Sequence, residues 1–405
     1  MPGLRSQRRL ERLERGRARR RNAMAALAST VVAVATVTGM VSGLGDGKGE
    51  RDTARPEVSG KPTLQPLPAL PSPTASSASP SASPTGSPKP ATKSAKSTKS
   101  AKSANSKAEQ AGPGRRGAVS GDLYRHPDSQ VLDWVRANPD DPKRVLIESR
   151  IAAQPAAVWF ADYSPDTITR RVRAVTSGAA AAGRVPVLVP YAIPDRDCGG
   201  ASEGGAPDLA AYDAWIRAFA AGLGSGPVIV ILEPDSIAQS DCLSDKERAG
   251  RYASLARAGR TLRAADPRAR VYFDAGHSGW HGAEKQATEL RKAGAATSGD
   301  GIFTNVSNFR RTADEVAYAR RVLAALGGSE NLGAVIDTSR NGNGAPPAGE
   351  WCDPAGRALG RPPTTRTGEA RIDAYLWVKL PGESDGCKGS AGAFAPSYAY
   401  ELAGG

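Results

Sequence analysis

The sequence predicts an α/β fold for residues 118–405, with a seven-stranded parallel barrel or a barrel-like variant at its centre. Seven short apolar runs have the length of buried strands. Most of them are separated by Ala-, Arg- and Leu-rich segments with helical periodicity, such as "DLAAYDAWIRAFAAGLG". Strands that alternate with helices over roughly 290 residues are typical of a parallel α/β barrel. The runs cover residues 156–161, 185–193, 227–234, 269–276, 301–308, 332–339 and 374–381.

The N-terminus has the pattern of an export signal. Residues 1–22 form a basic segment with nine Arg and two Glu, and the apolar residues 23–45 carry no charge. As a helix, this second segment could span a bilayer core of roughly 30 Å. It predicts a signal peptide or an uncleaved signal anchor, and we favour the anchor. Because the positive-inside rule keeps the arginines in the cytoplasm, we expect the rest of the chain to be exported.

Residues 46–117 are rich in Pro, Ser, Ala and Lys and contain few large apolar side chains. This composition cannot form a packed core, so we expect an extended, disordered linker. Residues 1–117 carry a net charge of +14 against +13 for the whole chain, which leaves about −1 for residues 118–405. The folded domain therefore has no general basic surface, and we expect no binding to nucleic acid.

Polar and charged side chains follow nearly every predicted strand. Helix capping could explain one of them, but it does not explain carboxylates after so many strands. Carboxylates that lie close together repel each other, so at least one should have a raised pKa and donate a proton near neutral pH. Hydrolysis of a glycosidic bond uses this acid/base chemistry. In strand order the residues are Tyr191, Asp195, Asp197, Glu233, Asp235, Asp274, His277, Asn305, Asn308, Asp337, Lys379, Glu383 and Asp385.

Aromatic residues accompany these acids. Trp159 ends the first predicted strand, Trp280 follows the fourth, and Trp351 lies in a predicted loop. Indole rings stack on the apolar faces of sugars, which favours a carbohydrate-binding cleft.

Four cysteines lie in loops that follow predicted strand ends. An even number in an exported domain favours disulfides. Three connectivities are open, and the spacing alone does not choose among them. We pair Cys198 with Cys242 and Cys352 with Cys387, because each cysteine adjoins a candidate catalytic segment.

Five ordered segments resemble the signature sequences of glycoside hydrolase family 6, the inverting cellulases. They are "YAIPDRDCGG", "ILEPDSIA", "DAGHSGW", "NVSNF" and "WVKLPGESDGC". The resemblance covers residues 118–405. It implies a distorted seven-stranded barrel that cleaves β-1,4-glucan with inversion at the anomeric carbon, and its disulfide pattern agrees with our pairing.

The resemblance also implies individual roles. Asp235 matches the general acid, and Asp197 matches a residue that raises the pKa of the acid and helps to position water. Asp385 matches the proposed base, which acts directly or through a relaying water. Asp274 matches a supporting carboxylate, and Tyr191 matches a residue that presses on the distorted sugar. The positions that match substrate-lining residues are Trp159, His277, Trp280, Asn305, Trp351, Lys379 and Glu383. Glu233 precedes a proline, and we expect it to be structural.

The segment from Asn341 to the end is compact, without the long insertions that roof a tunnel. This compact segment favours an open cleft and endo cleavage of cellulose or a related β-glucan. We expect the enzyme to be a monomer that is either held at the cell surface or secreted. The alternatives are an exo-acting cellobiohydrolase and a catalytically silent protein that binds glucan or the cell wall.

A metal site in "DAGHSGWH" is a rival interpretation, with Asp274, His277 and His281 as ligands. Gly276 and Gly279 argue against a regular helix there, and we expect neither a metal nor a cofactor.

Overall fold

The computed structural model describes residues 120–200, 202–347 and 350–405. The predicted basic segment, the apolar segment and the linker, residues 1–117, lie outside the described residues. Within the described ranges, no helix is both long and apolar enough to cross a membrane.

Seven parallel strands form one sheet, and they pair in the order of the sequence from β1 to β7. Six of them lie within the runs that the sequence predicted. The last strand begins at Ile372, two residues before the predicted run. The run was predicted to start later because the polar Asp373 interrupts the apolar pattern. Its carboxylate is buried and accepts a hydrogen bond of 2.8 Å from the Tyr272 hydroxyl. The strands are β1 Val158–Phe160, β2 Val187–Pro190, β3 Val228–Leu232, β4 Ala269–Asp274, β5 Gly301–Thr304, β6 Gly333–Asp337 and β7 Ile372–Leu376.

The barrel is not closed by strand pairing. In the part of the chain that the structure describes, no ladder joins β7 to β1. The Ala157 N–H donates a hydrogen bond of 2.9 Å to the Trp377 carbonyl, beside these two strands. The Trp159 indole N–H donates one of 2.7 Å to the Val378 carbonyl. The sheet is therefore curled into an incomplete barrel, which agrees with the distorted barrel that the resemblance implied.

Helices connect most of the strands, and local signals fix several helix starts. Asp208 caps α4 by accepting a hydrogen bond from the Ala211 N–H. Ser244 and Glu247 form a capping box at the start of α5. The helices are α1 Gln130–Ala137, α2 Arg144–Ile147 with a π-helical turn Glu148–Ala152, α3 Ile168–Ala181, α4 Leu209–Ala220, α5 Asp245–Ala265, α6 Ala283–Lys292, α7 Ala295–Ser298, α8 Thr312–Leu326 and α9 Pro396–Leu402.

Alternate side chains of each strand pack on opposite faces of the sheet. Leu188 and Val230 face the cluster that the outer helices cover, whereas Val189 and Ile231 fill the inside of the barrel. Both faces are buried, which explains why the strand sequences are continuously apolar. Because the barrel interior is packed with side chains, a substrate can bind only above it, where the loops at the carboxyl ends of the strands surround a cleft.

Candidate active site

A cleft of about 1190 Å³ lies at the carboxyl ends of the strands. It combines loops that follow all seven strands of the sheet with residues near α1. Most of the predicted site residues line it. They are Trp159, Tyr191, Asp197, Asp235, His277, Trp280, Trp351, Lys379, Glu383 and Asp385. Asp274 and Asn305 lie beneath the cleft and do not line it.

The turn after β3 brings Asp235 to the cleft. Glu233 and Asp235 both have positive φ angles, 51° and 67°, so the chain turns sharply around the intervening proline. The Glu233 carboxyl is fully buried and accepts hydrogen bonds of 2.9–3.0 Å from the N–H groups of Ala192 and Ile193. Burial raises the pKa of Glu233 to about 7. This side chain therefore joins the ends of β2 and β3 and does not reach the cleft, as the sequence predicted.

Asp235 lies in a setting that favours its protonated form. Burial raises its pKa well above the usual range, and the negative charges of Asp274 and Asp197 raise it further. The side chain also lines the cleft. A carboxyl group that stays protonated near neutral pH and faces a cleft can act as a general acid.

Asp274 supports this turn from below. One of its oxygens accepts hydrogen bonds from the N–H groups of Ile237, at 3.0 Å, and Ala238, at 2.8 Å. The other accepts one of 2.9 Å from the Gly276 N–H. Burial raises the pKa of Asp274 as well. Asp274 therefore fixes the segment that follows Asp235 and acts on it electrostatically.

The loop after β2 carries Asp197 in a strained backbone. Asp195, Asp197 and Cys198 all have positive φ angles, which side chains other than glycine adopt rarely. The Asp197 carboxylate accepts a hydrogen bond of 2.7 Å from the Ser202 N–H. Arg251 donates to the carbonyls of Pro194 and Asp195, at 2.7 and 3.0 Å.

Both predicted disulfides are present. Cys198 is bonded to Cys242, which ties the Asp197 loop to the segment after β3. Cys352 is bonded to Cys387, which ties the β6–β7 connection to the loop that follows β7. The described residues contain no free cysteine.

Asp385, on the loop after β7, contacts two cations. The Arg340 guanidinium donates a hydrogen bond of 2.8 Å to one carboxylate oxygen, and the Lys379 ammonium lies 3.3 Å from the other. Arg340 is fully buried, stacks on the Phe309 ring and donates to the Ser307 carbonyl. Sequence reasoning missed Arg340. Its signal was a charged residue three positions after the end of β6.

Glu383 and His277 line the cleft with shifted pKa values. Burial raises the pKa of Glu383 to about 7, although Lys379 opposes this effect. The Gln130 amide also donates a hydrogen bond of 3.1 Å to Glu383. Burial, followed by the charges of Arg310 and His281, lowers the pKa of His277 to about 4. His277 is therefore neutral near pH 7 and can exchange hydrogen bonds with an uncharged ligand.

Aromatic side chains shape both the floor and the rim of the cleft. Trp159 and Tyr191 meet edge to face, with ring centroids 5.3 Å apart. The Arg196 guanidinium lies 4.5 Å from the centre of the Tyr191 ring. Burial, followed by the charges of Asp235 and Asp197, raises the pKa of Tyr191, so its hydroxyl stays protonated. Trp351 is 59% exposed and offers a flat apolar face at the rim.

Asn305 is a structural residue of the loop after β5. It has a φ of 66° and is fully buried. Its amide donates a hydrogen bond of 2.8 Å to the Asp337 carbonyl and accepts one of 3.0 Å from the Arg310 N–H. The side chain points away from the space that a ligand would fill.

The rival metal site has little geometric support. In the described ranges, no group of three or more His, Cys, Asp and Glu side chains is arranged to hold a metal ion. Both oxygens of Asp274 accept backbone hydrogen bonds, as described above. His281 uses Nε2 to contact the Ala238 carbonyl at 3.0 Å, and His277 Nδ1 accepts from the Gly279 N–H.

Comparisons with known proteins agree with this geometry. The model of the glycosyl hydrolases family 6 matches residues 121–403. Endoglucanase 1 of Streptomyces sp. (strain KSM-9) is 55% identical over 73% of this chain and 81% of its own length. Endoglucanase A of Thermobispora bispora is 51% identical over 72% of this chain and 64% of its own length.

A solved structure gives the same fold. The endoglucanase Cel6 from Mycobacterium tuberculosis, in complex with methyl-cellobiosyl-4-deoxy-4-thio-β-D-cellobioside, superimposes with a TM-score of 0.66 at 41% identity. The match covers 71% of this chain and 97% of that one.

Proposed function

We propose that Asp235 is the general acid of this chain, which belongs to glycosyl hydrolase family 6. As a member of this family, the chain is a cellulase-type glycosidase that cleaves internal β-1,4-glucosidic bonds with inversion. The observation that carries this proposal is a cleft-lining carboxyl group whose pKa is raised by burial and by the charges of Asp274 and Asp197. Such a group holds a proton near neutral pH and can give it to the oxygen of the leaving sugar.

We propose Asp385 as the base. Its carboxylate contacts two cations, Arg340 at 2.8 Å and Lys379 at 3.3 Å. A water molecule attacks the anomeric carbon on the face opposite to the leaving sugar, while Asp385 accepts a proton from this water directly or through a second one. The glycosidic carbon–oxygen bond breaks as Asp235 protonates its oxygen. The product then has the α configuration, as inversion requires.

The remaining site residues hold the glucan chain. Trp159, Trp280 and Trp351 provide faces on which glucosyl rings stack. Tyr191 lies beside Asp235 and Asp197, where it can press on the sugar at the cleavage point. Lys379, Glu383 and His277 provide polar groups for sugar hydroxyls. Asp197 lines the cleft near the acid and helps to position the attacking water.

The assignment of the acid is tested by comparing Asp235→Asn with the wild type on two substrates. On soluble cellulose derivatives, kcat should fall by roughly 100- to 10,000-fold, the usual contribution of general acid catalysis. On an aryl cellobioside whose phenolate leaves without protonation, the loss should be much smaller. Asp245→Asn is the control, since this side chain is 97% exposed on α5. Equal losses on the two substrates would show that Asp235 is not the acid.

We also propose where in the cell envelope the enzyme acts. The two disulfides suit an oxidising compartment outside the cytoplasm. The apolar residues 23–45 could anchor the chain, with the catalytic domain acting as a monomer. Activity should then stay on washed membranes in 1 M salt and be released by detergent, and light scattering of the released domain should give a monomer mass. Activity found mainly in the culture medium would instead indicate a cleaved signal peptide.

A further inference from the structure

Asp353 lies in the β6–β7 connection, directly after Cys352, and none of the sequence patterns pointed to it. Only 3% of the residue is exposed, and its φ of 45° is rare for a residue other than glycine. A buried carboxylate on a strained backbone is costly unless hydrogen bonds satisfy it. The arrangement of donors around Asp353 therefore indicates what this carboxylate does.

The Asp353 carboxylate accepts four hydrogen bonds from residues 384–388. One oxygen accepts from the Asp385 N–H at 2.7 Å. The other accepts from the Ser384 hydroxyl at 2.5 Å and from the N–H groups of Cys387, at 3.0 Å, and Lys388, at 2.8 Å. The loop after β7 is therefore folded around this one side chain.

The contact is reciprocal. The Asp353 N–H donates a hydrogen bond of 3.2 Å to the Asp385 carboxylate, on the oxygen that also accepts from Arg340. Burial alone would raise the pKa of Asp353, but the hydrogen bonds from the Ser384 hydroxyl and the backbone N–H groups lower it below its ordinary value. Asp353 is therefore a carboxylate that restrains both the backbone and the side chain of Asp385.

The charges around this contact are balanced. Arg340 lies 2.8 Å from Asp385 and 4.0 Å from Asp353, and Lys379 lies 3.3 Å from Asp385. Two cations thus face two carboxylates. Without Asp353, the buried Arg340 would lose the farther of these two carboxylates, and the loop that carries Asp385 would lose four hydrogen bonds.

We propose that Asp353 is a positioning residue for Asp385: it holds the loop of residues 384–388 so that the Asp385 carboxylate stays aimed at the attacking water. The inference rests on the proposed role of Asp385 as the base. Asp353 does not line the cleft and does not touch the substrate. Its removal should therefore impair the chemical step and leave substrate binding nearly unchanged.

The primary test is Asp353→Asn, an isosteric change that cannot accept all four hydrogen bonds. We expect kcat on soluble cellulose derivatives to fall about 10- to 100-fold, because small misplacements of a reacting group cost this much. KM should change by less than about twofold. The matched control is Asp266→Asn, another buried carboxylate, which accepts from the Arg268 N–H just before β4, at the amino ends of the strands and away from the cleft. Its kcat should stay at the wild-type value even if its melting temperature falls.

A double-mutant cycle separates this inference from the proposed base. In an Asp385→Asn background, Asp353→Asn should have no further effect on kcat, because the residue that it positions is already disabled. If Asp385→Asn keeps the wild-type kcat, the proposed role of Asp385 fails. If Asp385→Asn is inactive while folded Asp353→Asn keeps the wild-type kcat, only the positioning inference fails.

Ser384→Ala covers the case in which Asp353→Asn does not fold. It removes one donor to Asp353 and leaves the three backbone donors in place. We expect a three- to tenfold loss of kcat at constant KM, smaller than for Asp353→Asn because the three backbone donors still hold the loop. A wild-type kcat for Ser384→Ala, with Asp353→Asn unfolded, would overturn the proposal.

Discussion

On the β3 side of the cleft, Asp235 faces the carboxylates of Asp274 and Asp197, whereas on the β7 side Asp385 contacts the cations of Arg340 and Lys379. The first setting raises the pKa of a carboxyl group and keeps its proton. In the second setting, two cations contact the carboxylate. Two identical side chains therefore have neighbours of opposite charge.

The difference shows that the electrostatic surroundings of the two cleft carboxyl groups depend on residues that do not line the cleft. Asp274 and Arg340 are both buried, and neither lines the cleft. Altering either of these neighbours should disturb one side of the cleft and leave the other intact, and the variants Arg340→Met and Asp274→Asn test this expectation.

The largest effect should come from Arg340→Met on the β7 side. This change leaves Asp385 and Asp353 without their shared buried cation, and breaking a buried pair typically costs about 3–5 kcal/mol. We expect the free energy of unfolding, measured with urea, to fall by that amount, and kcat to fall about 100- to 1,000-fold. In the control Arg257→Met, a surface pair with Asp213 is lost and about 1 kcal/mol or less is expected. A small loss of stability in both variants would contradict the comparison.

Most of the fold could be predicted from the sequence, because the strands are buried on both faces and therefore read as continuous apolar runs. The start of β7 could not, since Asp373 is polar and its burial depends on the distant Tyr272 hydroxyl. The gap between β1 and β7 could not be predicted either. Pairing between the first and last strands of a sheet depends on its overall curvature, which no local pattern encodes.

The sequence predicted which side chains line the cleft where these follow a strand, as at Asp235 and Asp385. It did not predict side chains that act through tertiary contacts. Asp353 comes from an irregular connection, and only the folded chain brings it to the loop after β7. Asn305 follows β5 as a cleft residue would, yet its backbone turn sends its amide under the cleft to the Asp337 carbonyl.

A smaller effect, confined to the β3 side, is expected from Asp274→Asn. Burial is the main cause of the raised pKa of Asp235, and the charge of Asp274 is the next. Without this charge the pKa of Asp235 falls, so the acid loses its proton at lower pH. The alkaline limb of the profile of kcat/KM against pH should therefore move to lower pH, with a loss of about 10- to 100-fold at the optimum. An unmoved alkaline limb would show that Asp274 does not tune the acid.

The smallest effects on activity are expected when one disulfide at a time is removed by replacing both of its cysteines with serine. The two disulfides close loops of similar length, with sequence separations of 44 and 35 residues, so each removal should cost about 3–4 kcal/mol of stability.

Their effects on kcat should nevertheless differ. The loop of Cys198 contains three residues other than glycine with positive φ angles, and we expect it to rely more on its disulfide, whereas the loop of Cys387 is also held by four hydrogen bonds to Asp353. We expect kcat to fall about tenfold without Cys198–Cys242 and less than threefold without Cys352–Cys387, measured well below both melting temperatures. The opposite order would mean that the Asp353 contacts do not hold the loop of Asp385 without the covalent bond, and that the β7 side of the cleft is the more fragile one.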